Sequence, residues 1–371
     1  MSSHRQSKGL SSPAERHGAS RRNANAMSRS VSEETQATLR ELQDELGDLQ
    51  KSLLLTTVQD DLAEVQTTLG LLPTEIETLR TRGYVFRSFL ENKVDILTGQ
   101  WQKASQEVSR EVTRRTRELQ READEAERAL HQAMGGGTVR ISQAQSAVEA
   151  LQDKVDGARS AVSAMYQTLE QNVQQTKSQV EEIKWLLGQL EQASFRLLPA
   201  EDPVAACKAQ LMETKKEGPE GVLYLTDERV IFEQKEKKAT KKVLFIATEK
   251  ETIQDLIFAV PVGQIEKLEV SQKGFMGRKE MLELLFTPDA DWSSALLRLR
   301  GEDNEAWAAL IGRVRSGEIA KERSRPKEAN VLQSIRDVPT QCPTCGAAIS
   351  VEIVRGMREI TCQYCGTVIR L

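Results

Sequence analysis

Aromatic residues are scarce in this chain of 371, at 4%. With 29% of its residues charged, the chain is ill-suited to one large core and suits long, surface-rich helix. Its length leaves room for two or three domains. Long apolar runs are missing as well. No stretch of about 18 apolar residues is available to span a bilayer. The polar N-terminus is unlike a secretory signal. Charge of one sign does not dominate: the net charge of −4 gives no global case for nucleic-acid binding. Histidine is limited to His4, His17 and His131, so a His-dependent triad or a buried His-metal site has little to draw on. The glycines of "MGGGT" lack the preceding strand and following lysine of a phosphate loop, and there is no dinucleotide fingerprint. Carboxylates are expected on solvated helix faces, where nothing would shift their pKa. The expectation is a protein that is not an enzyme. Of five cysteines, four sit in the last 30 residues as two Cys-x-x-Cys pairs. That usage fits a reducing cytoplasm better than a disulfide framework.

What is there begins with a basic stretch. Residues 1–31 carry Arg5, Lys8, Arg16, Arg21, Arg22 and Arg29 against Glu15, with almost nothing to bury. This reads as a disordered tail. Residues 32–198 then carry apolar residues at 3-4 spacing. Leu39, Leu42, Leu46, Leu49 and Leu53 lead, and the phase slips before Leu55, Val58, Leu62, Val65, Leu69 and Leu72. Pro73 suggests a kink or restart. The stripe resumes through Ile76, Leu79, Gly83, Phe86, Leu90, Val94, Leu97, Trp101, Val108, Val112, Leu119, Ala123, Ala126 and Leu130. Gly135–Gly137 end it. A second series follows at once: Ile141, Ala144, Val148, Leu151, Val155, Ala158, Val162, Met165, Leu169, Val173, Thr176, Val180, Ile183, Leu187 and Leu190. Sustained heptads on either side of a short turn predict a long antiparallel coiled-coil hairpin, with helices over 74–134 and 138–193. Folding about Gly136 sets Leu130 against Ile141, Leu119 against Val155 and Trp185 near Phe86.

At "RLLPAEDP" the period changes. "GVLYLTDERVIFE" reads as two strands about a turn at Asp227–Glu228, with further strands at 206–213, 242–248, 254–260, 265–271, 280–286 and 294–300. "EDNEAWAALIGRVRSGEI" is an amphipathic helix with Trp307, Leu310, Ile311 and Val314 on one face. Together these predict a small β-barrel with a C-terminal helix over 199–322, closed around its edges. "EGVLYLTDERVIF" and "FAVPVGQIEKLEV" resemble the GRAM domain of the pleckstrin-homology-like superfold. That resemblance implies a module binding lipid headgroups or peptides. Lys235, Lys237, Lys238, Lys241 and Lys242 in one loop, and Lys273, Arg278 and Lys279 in another, are the bases available to an anionic membrane. The lone Cys207 reads as a buried structural thiol.

Residues 323–338 are polar, carry Pro326 and read as a linker. The segment 339–371 is too short to fold on its own apolar core. Its spacing is C-x2-C-x16-C-x2-C, within the range of a zinc site, and each pair is followed by glycine as "CPTCG" and "CQYCG". Four thiolates from Cys342, Cys345, Cys362 and Cys365 would make a closed, structural, tetrahedral Zn2+ site, with two disulfides or a redox dithiol as the competing readings. The pattern resembles a zinc ribbon. Arg355, Arg358, Arg370 and Tyr364 are its only bases and aromatic, a thin set for single-stranded nucleic acid.

The whole is expected to be a multidomain α+β chain: coiled coil, barrel and ribbon. Its expected role is a cytoplasmic scaffold or adaptor that binds protein partners and is able to self-associate through the coiled coil. Two other readings stand beside it. One is a nucleic-acid-associated factor using ribbon and tail, and the other is a peripheral membrane protein using the barrel.

Overall fold

The computed structural model describes residues 13–212, 218–243, 246–273, 279–327, 340–349, 351, 354, 355, 357 and 359–370. The chain divides into two compact units, Met1–Thr67 with Leu97–Asn172, and Thr68–Ile96 with Val173–Leu371. It is a mixed helix and sheet protein. Its helices are α1 (Pro13–Ser52), α2 (Thr56–Thr81), α3 (Leu90–Met134), α4 (Thr138–Ser163) and α5 (Gln167–Glu191). Because α1 begins at Pro13, the backbone from there is helical, contrary to the tail expected over 1–31. Its Ala, Glu and Arg content favours helix where there is no core to bury. Residues 1–12 lie outside the described residues.

In the first unit, leucines 42, 46 and 49 of α1 and Leu53 just past its end share one core with Leu119, Ala123, Ala126 and Leu130 of α3 and Ile141, Ala144, Val148, Leu151 and Val155 of α4. The helix ends at Met134 and restarts at Thr138, as the three glycines require. Lys154 reaches Glu122 at 2.5 Å. Leu119 and Val155 therefore do share a core. The phase slip before Leu55 is a real break: α1 ends at Ser52, and Leu55 takes a positive φ of 48°. A second break, at 164–166, shifts the stripe by one residue. Tyr166 is buried and donates its hydroxyl to Asp61 Oδ2 at 2.8 Å, while Met165, expected inside, is exposed.

The second unit corrects two further expectations. Pro73 lies inside α2, which runs through it to Thr81. The interruption comes later, at residues 82–89. Gly83 there has φ +93°, a region open to glycine. The Arg80 guanidinium donates to the carbonyls of Tyr84 (3.1 Å), Phe86 (2.6 Å) and Arg87 (3.0 Å), and grips Glu91 with two bonds of 2.7 and 3.0 Å. The three carbonyl bonds satisfy backbone acceptors that the missing helical turns would have used. Tyr84, Val85 and Phe86 are buried, and Phe86 packs edge-on to Tyr84 and beneath the Arg323 guanidinium. Trp185 lines a groove with Lys208 and Arg300.

Seven antiparallel strands follow: β1 (Pro203–Leu211), β2 (Glu220–Thr226), β3 (Arg229–Val243), β4 (Ile246–Pro261), β5 (Ile265–Lys273), β6 (Lys279–Phe286) and β7 (Ser294–Leu299). The turn at Asp227–Glu228 is where the sequence places it. The order β4-β3-β2-β1-β7-β6-β5 leaves β4 and β5 as edges, so the sheet is open and no closed barrel forms among the described residues. Pro261 and the single turn Val262–Gln264 carry the chain from one edge to the other, and β5 pairs only with β6. The strand expected at 242–248 is the far end of the long β3–β4 hairpin, where Val243 pairs with Ile246. Leu244 and Phe245 lie outside the described residues. Phe258 is the centre of the sheet's aromatic core, against Phe232, Phe286 and Trp292. Helix α6 (Asn304–Arg315) is capped by Asp303, which accepts from the Ala306 amide at 2.9 Å. It buries Trp307, Ile311 and Val314, with Leu310 half-buried. The first residues of the expected linker pack on this unit. Arg323 bridges Asp202 and Asp227 with its side chain almost fully covered, and the Ser324 amide donates to Val85 O at 2.7 Å. The rest of that linker, 328–339, is outside the described residues. Among the described residues, no helix is long and apolar enough to cross a membrane.

Candidate metal centre

The closing segment is built from two copies of one turn. In the first, the Gly346 amide donates to Cys342 O at 2.9 Å, and the Cys342 amide to Ala347 O at 2.8 Å. In the second, Gly366 donates to Cys362 O at 2.9 Å, and Cys362 to Thr367 O at 2.9 Å. Gly346 and Gly366 have φ of 71° and 72°, which an L side chain resists. This is the conformation that the glycine after each Cys-x-x-Cys anticipates. The short strands β8 (Glu359–Thr361) and β9 (Val368–Arg370) pair antiparallel on either side of the second turn. Cys342, Ile360, Cys362 and Ile369 form the small core, with Ile349, Val351 and Met357 packed on it.

The four sulfurs of Cys342, Cys345, Cys362 and Cys365 converge to within 4.8 Å of one another. Cys342 Sγ is 3.6 Å from Cys365 Sγ, and Cys345 Sγ is 3.7 Å from Cys362 Sγ. A tetrahedron with metal–sulfur bonds of ~2.3 Å has sulfur–sulfur edges of about 3.8 Å, and a disulfide would need about 2 Å. The donor set therefore fits a metal ion, and the four thiols are not joined as disulfides. The side chain and amide of Thr367 pull the Cys365 thiol down to about 6. Thr367 Oγ1 lies 3.2 Å from that sulfur. That favours the thiolate at Cys365, the form a metal takes, whereas the Cys345 thiol is pushed up to about 12.

The surroundings of the centre include a contact the sequence did not announce. The Arg355 amide donates to Leu197 O at 2.7 Å, and its guanidinium bonds Glu201 O and pairs with Asp202 at 3.1 Å. One of the three bases of the closing segment is thus engaged with protein. Arg370 and Tyr364 are exposed, and Arg358 lies outside the described residues. The lysine loops of the sheet are only partly described. Lys235 donates to Gln189 Oε1 at 3.1 Å and Gln192 Oε1 at 3.4 Å, so it is not a free surface base. Lys279 is half-buried, and the side chains of Lys237, Lys238, Lys241, Lys242, Lys273 and Arg278 lie outside the description. Cys207 is buried, and burial first, then Glu302, pushes its thiol well up, as suits an inert structural residue.

No family model and no curated protein matches the chain. Solved structures similar to parts of it include the Vps36 N-terminal PH domain, at 17% identity and TM-score 0.23 over 33% of this chain and 85% of that one. The pleckstrin homology domain from Shewanella amazonensis SB2B matches at 15% identity and TM-score 0.19 over 31% and 85%. The PDZ-RhoGEF DH/PH domains, solved with GTP-gamma-S activated RhoA, match at 12% identity and TM-score 0.22 over 76% and 94%.

Proposed function

We propose that the chain is a non-enzymatic, modular adaptor of the cytoplasm. In this reading a zinc-bound ribbon and a GRAM-like, pleckstrin-homology-like sheet module accompany an antiparallel coiled-coil hairpin, and all three serve protein partners. The observation that carries it is the four-sulfur centre. Four thiolates fill a tetrahedral Zn2+ shell and leave no position for substrate or water, so the metal's role is to fold the segment. Support for the sheet module comes from the resemblance carried by "EGVLYLTDERVIF" and from seven antiparallel strands followed by one capped helix. Protein is favoured over nucleic acid because Arg355 is already spent on Asp202 and Glu201. One exposed aromatic, Tyr364, is too little for a stacking platform.

The test uses purified full chain. Metal analysis should return one zinc per chain, and Cys345→Ser should abolish it. Gel shifts with duplex DNA and with RNA at about 50 mM salt, where phosphate binding is strongest, should show no binding that depends on the metal. A nucleic-acid shift present in the zinc form and lost in Cys345→Ser would hand the ribbon to the nucleic-acid reading. A chain isolated without zinc would remove the premise altogether.

A further inference from the structure

Helix α3 buries Val108, Val112, Leu119, Ala123, Ala126 and Leu130. At about 100° per residue these fall on one line along the helix. On the opposite line, each within about 40° of it by the same rotation, stand Lys103, Arg110, Arg114, Arg117, Arg121 and Arg128, all exposed. They span 26 residues, about 38 Å at helical rise. Among the described residues, Arg114 is the only one of the six in an ion pair, with Glu111 at 2.5 Å and Glu118 at 2.8 Å. Arg110, Arg121 and Arg128 bond backbone carbonyls of their own helix through Nε. Asp124 borders the ridge on one flank, and Glu107, Glu118 and Glu125 border it on the other. Side-by-side cations repel, so a solvated helix gains nothing from this arrangement.

We infer that this ridge is an electrostatic docking surface for an anionic membrane. Its charge is complementary to anionic headgroups, which attract bases near the surface by about fivefold each. Its shape is a straight row, which a flat surface meets along its whole length. The major groove of a duplex is only about 12 Å wide, so a straight helix crosses it within a fraction of this span. The ridge carries no aromatic for base stacking. Between Ile96 and Met134, no large apolar side chain of α3 is exposed among the described residues. Attachment is therefore by charge, without insertion. The inference does not depend on the adaptor reading or on the metal.

The experiment is vesicle flotation of the full chain with phosphatidylcholine alone and with about 30% phosphatidylserine. Binding should require the anionic lipid and vanish at about 0.5 M salt, where screening lengths are only a few ångströms. The triple substitution Arg110→Gln, Arg117→Gln and Arg121→Gln should weaken it by about a hundredfold, with helical circular dichroism unchanged because glutamine is nearly as good a helix former. Arg110→Lys, Arg117→Lys and Arg121→Lys should bind within about threefold of the parent, since a surface potential reads charge and not guanidinium geometry. Full binding by the glutamine variant, or no binding by the parent, overturns the inference. So does a parent chain that binds duplex DNA and ignores the vesicles.

Discussion

Glu201 and Arg229 form a buried ion pair at 2.7 Å, with the Glu201 side chain fully covered. The carboxylate also accepts from Thr226 Oγ1 at 2.6 Å and the Leu198 amide at 2.7 Å, so its charge is well compensated. Removing one partner of such a pair leaves an uncompensated charge. Arg229→Ala should cost about 3–5 kcal/mol, read as a lowered urea midpoint of the sheet's unfolding. Glu233 is a second buried carboxylate. Burial opposes its charge, but bonds from the Gln254 amide at 2.9 Å, the Ser194 backbone at 2.6 Å and the Tyr224 hydroxyl at 2.9 Å win and hold it below its ordinary value. A depressed folded-state value means stability that is present above pH 4.5 and lost as the pH falls through the folded value. In Glu233→Gln that part of the acid-side slope should disappear. A slope below pH 4.5 identical to the parent's would show that the bonds do not favour the charged form.

Among the elements, α3 and α4 make the sharpest geometric claim. Their apolar stripes share one core, and Lys154 meets Glu122. Spin labels at the exposed positions Gln120 and Asp153 should report a short separation. One unbroken helix through the glycines would set them about 50 Å apart. A distance near that figure would end the side-by-side arrangement.

For the molecule as a whole, metal removal should act locally. The closing segment's own core is a few residues around Ile360 and Ile369, too small to hold without a metal at the four sulfurs. The sheet's core around Phe258 and the helical core around Val148 owe nothing to it. Chelation should therefore erase hydrogen-exchange protection at β8 and β9 and leave that of β1–β7 in place. Loss of protection across the sheet would mean that the Arg355–Asp202 contact carries more of the fold than its half-exposed arginine suggests.

Wherever the signal is local, the sequence by itself determined the outcome. Heptad leucines chose their helices, three glycines ended α3, and Asp227–Glu228 turned β2 into β3. Glycine after each Cys-x-x-Cys permitted the positive φ that lets four sulfurs converge. These features depend on backbone chemistry and on spacing within a few residues. The tertiary structure decided what depends on distant partners. Residues 82–89 keep apolar 3-4 spacing, yet leave the helix. Val85 O is taken by Ser324, Ser88 donates to Glu322 O at 2.9 Å, and Phe86 lies beneath Arg323. Those partners are more than 200 positions away. The same bonds convert the start of an apparent linker into packed structure. The open edges of the sheet were likewise invisible, because alternation fixes which face of a strand is buried but not whether the first and last strands meet. Periodicity records what each residue wants from its neighbours, and only the folded chain shows which bonds outcompete the helix.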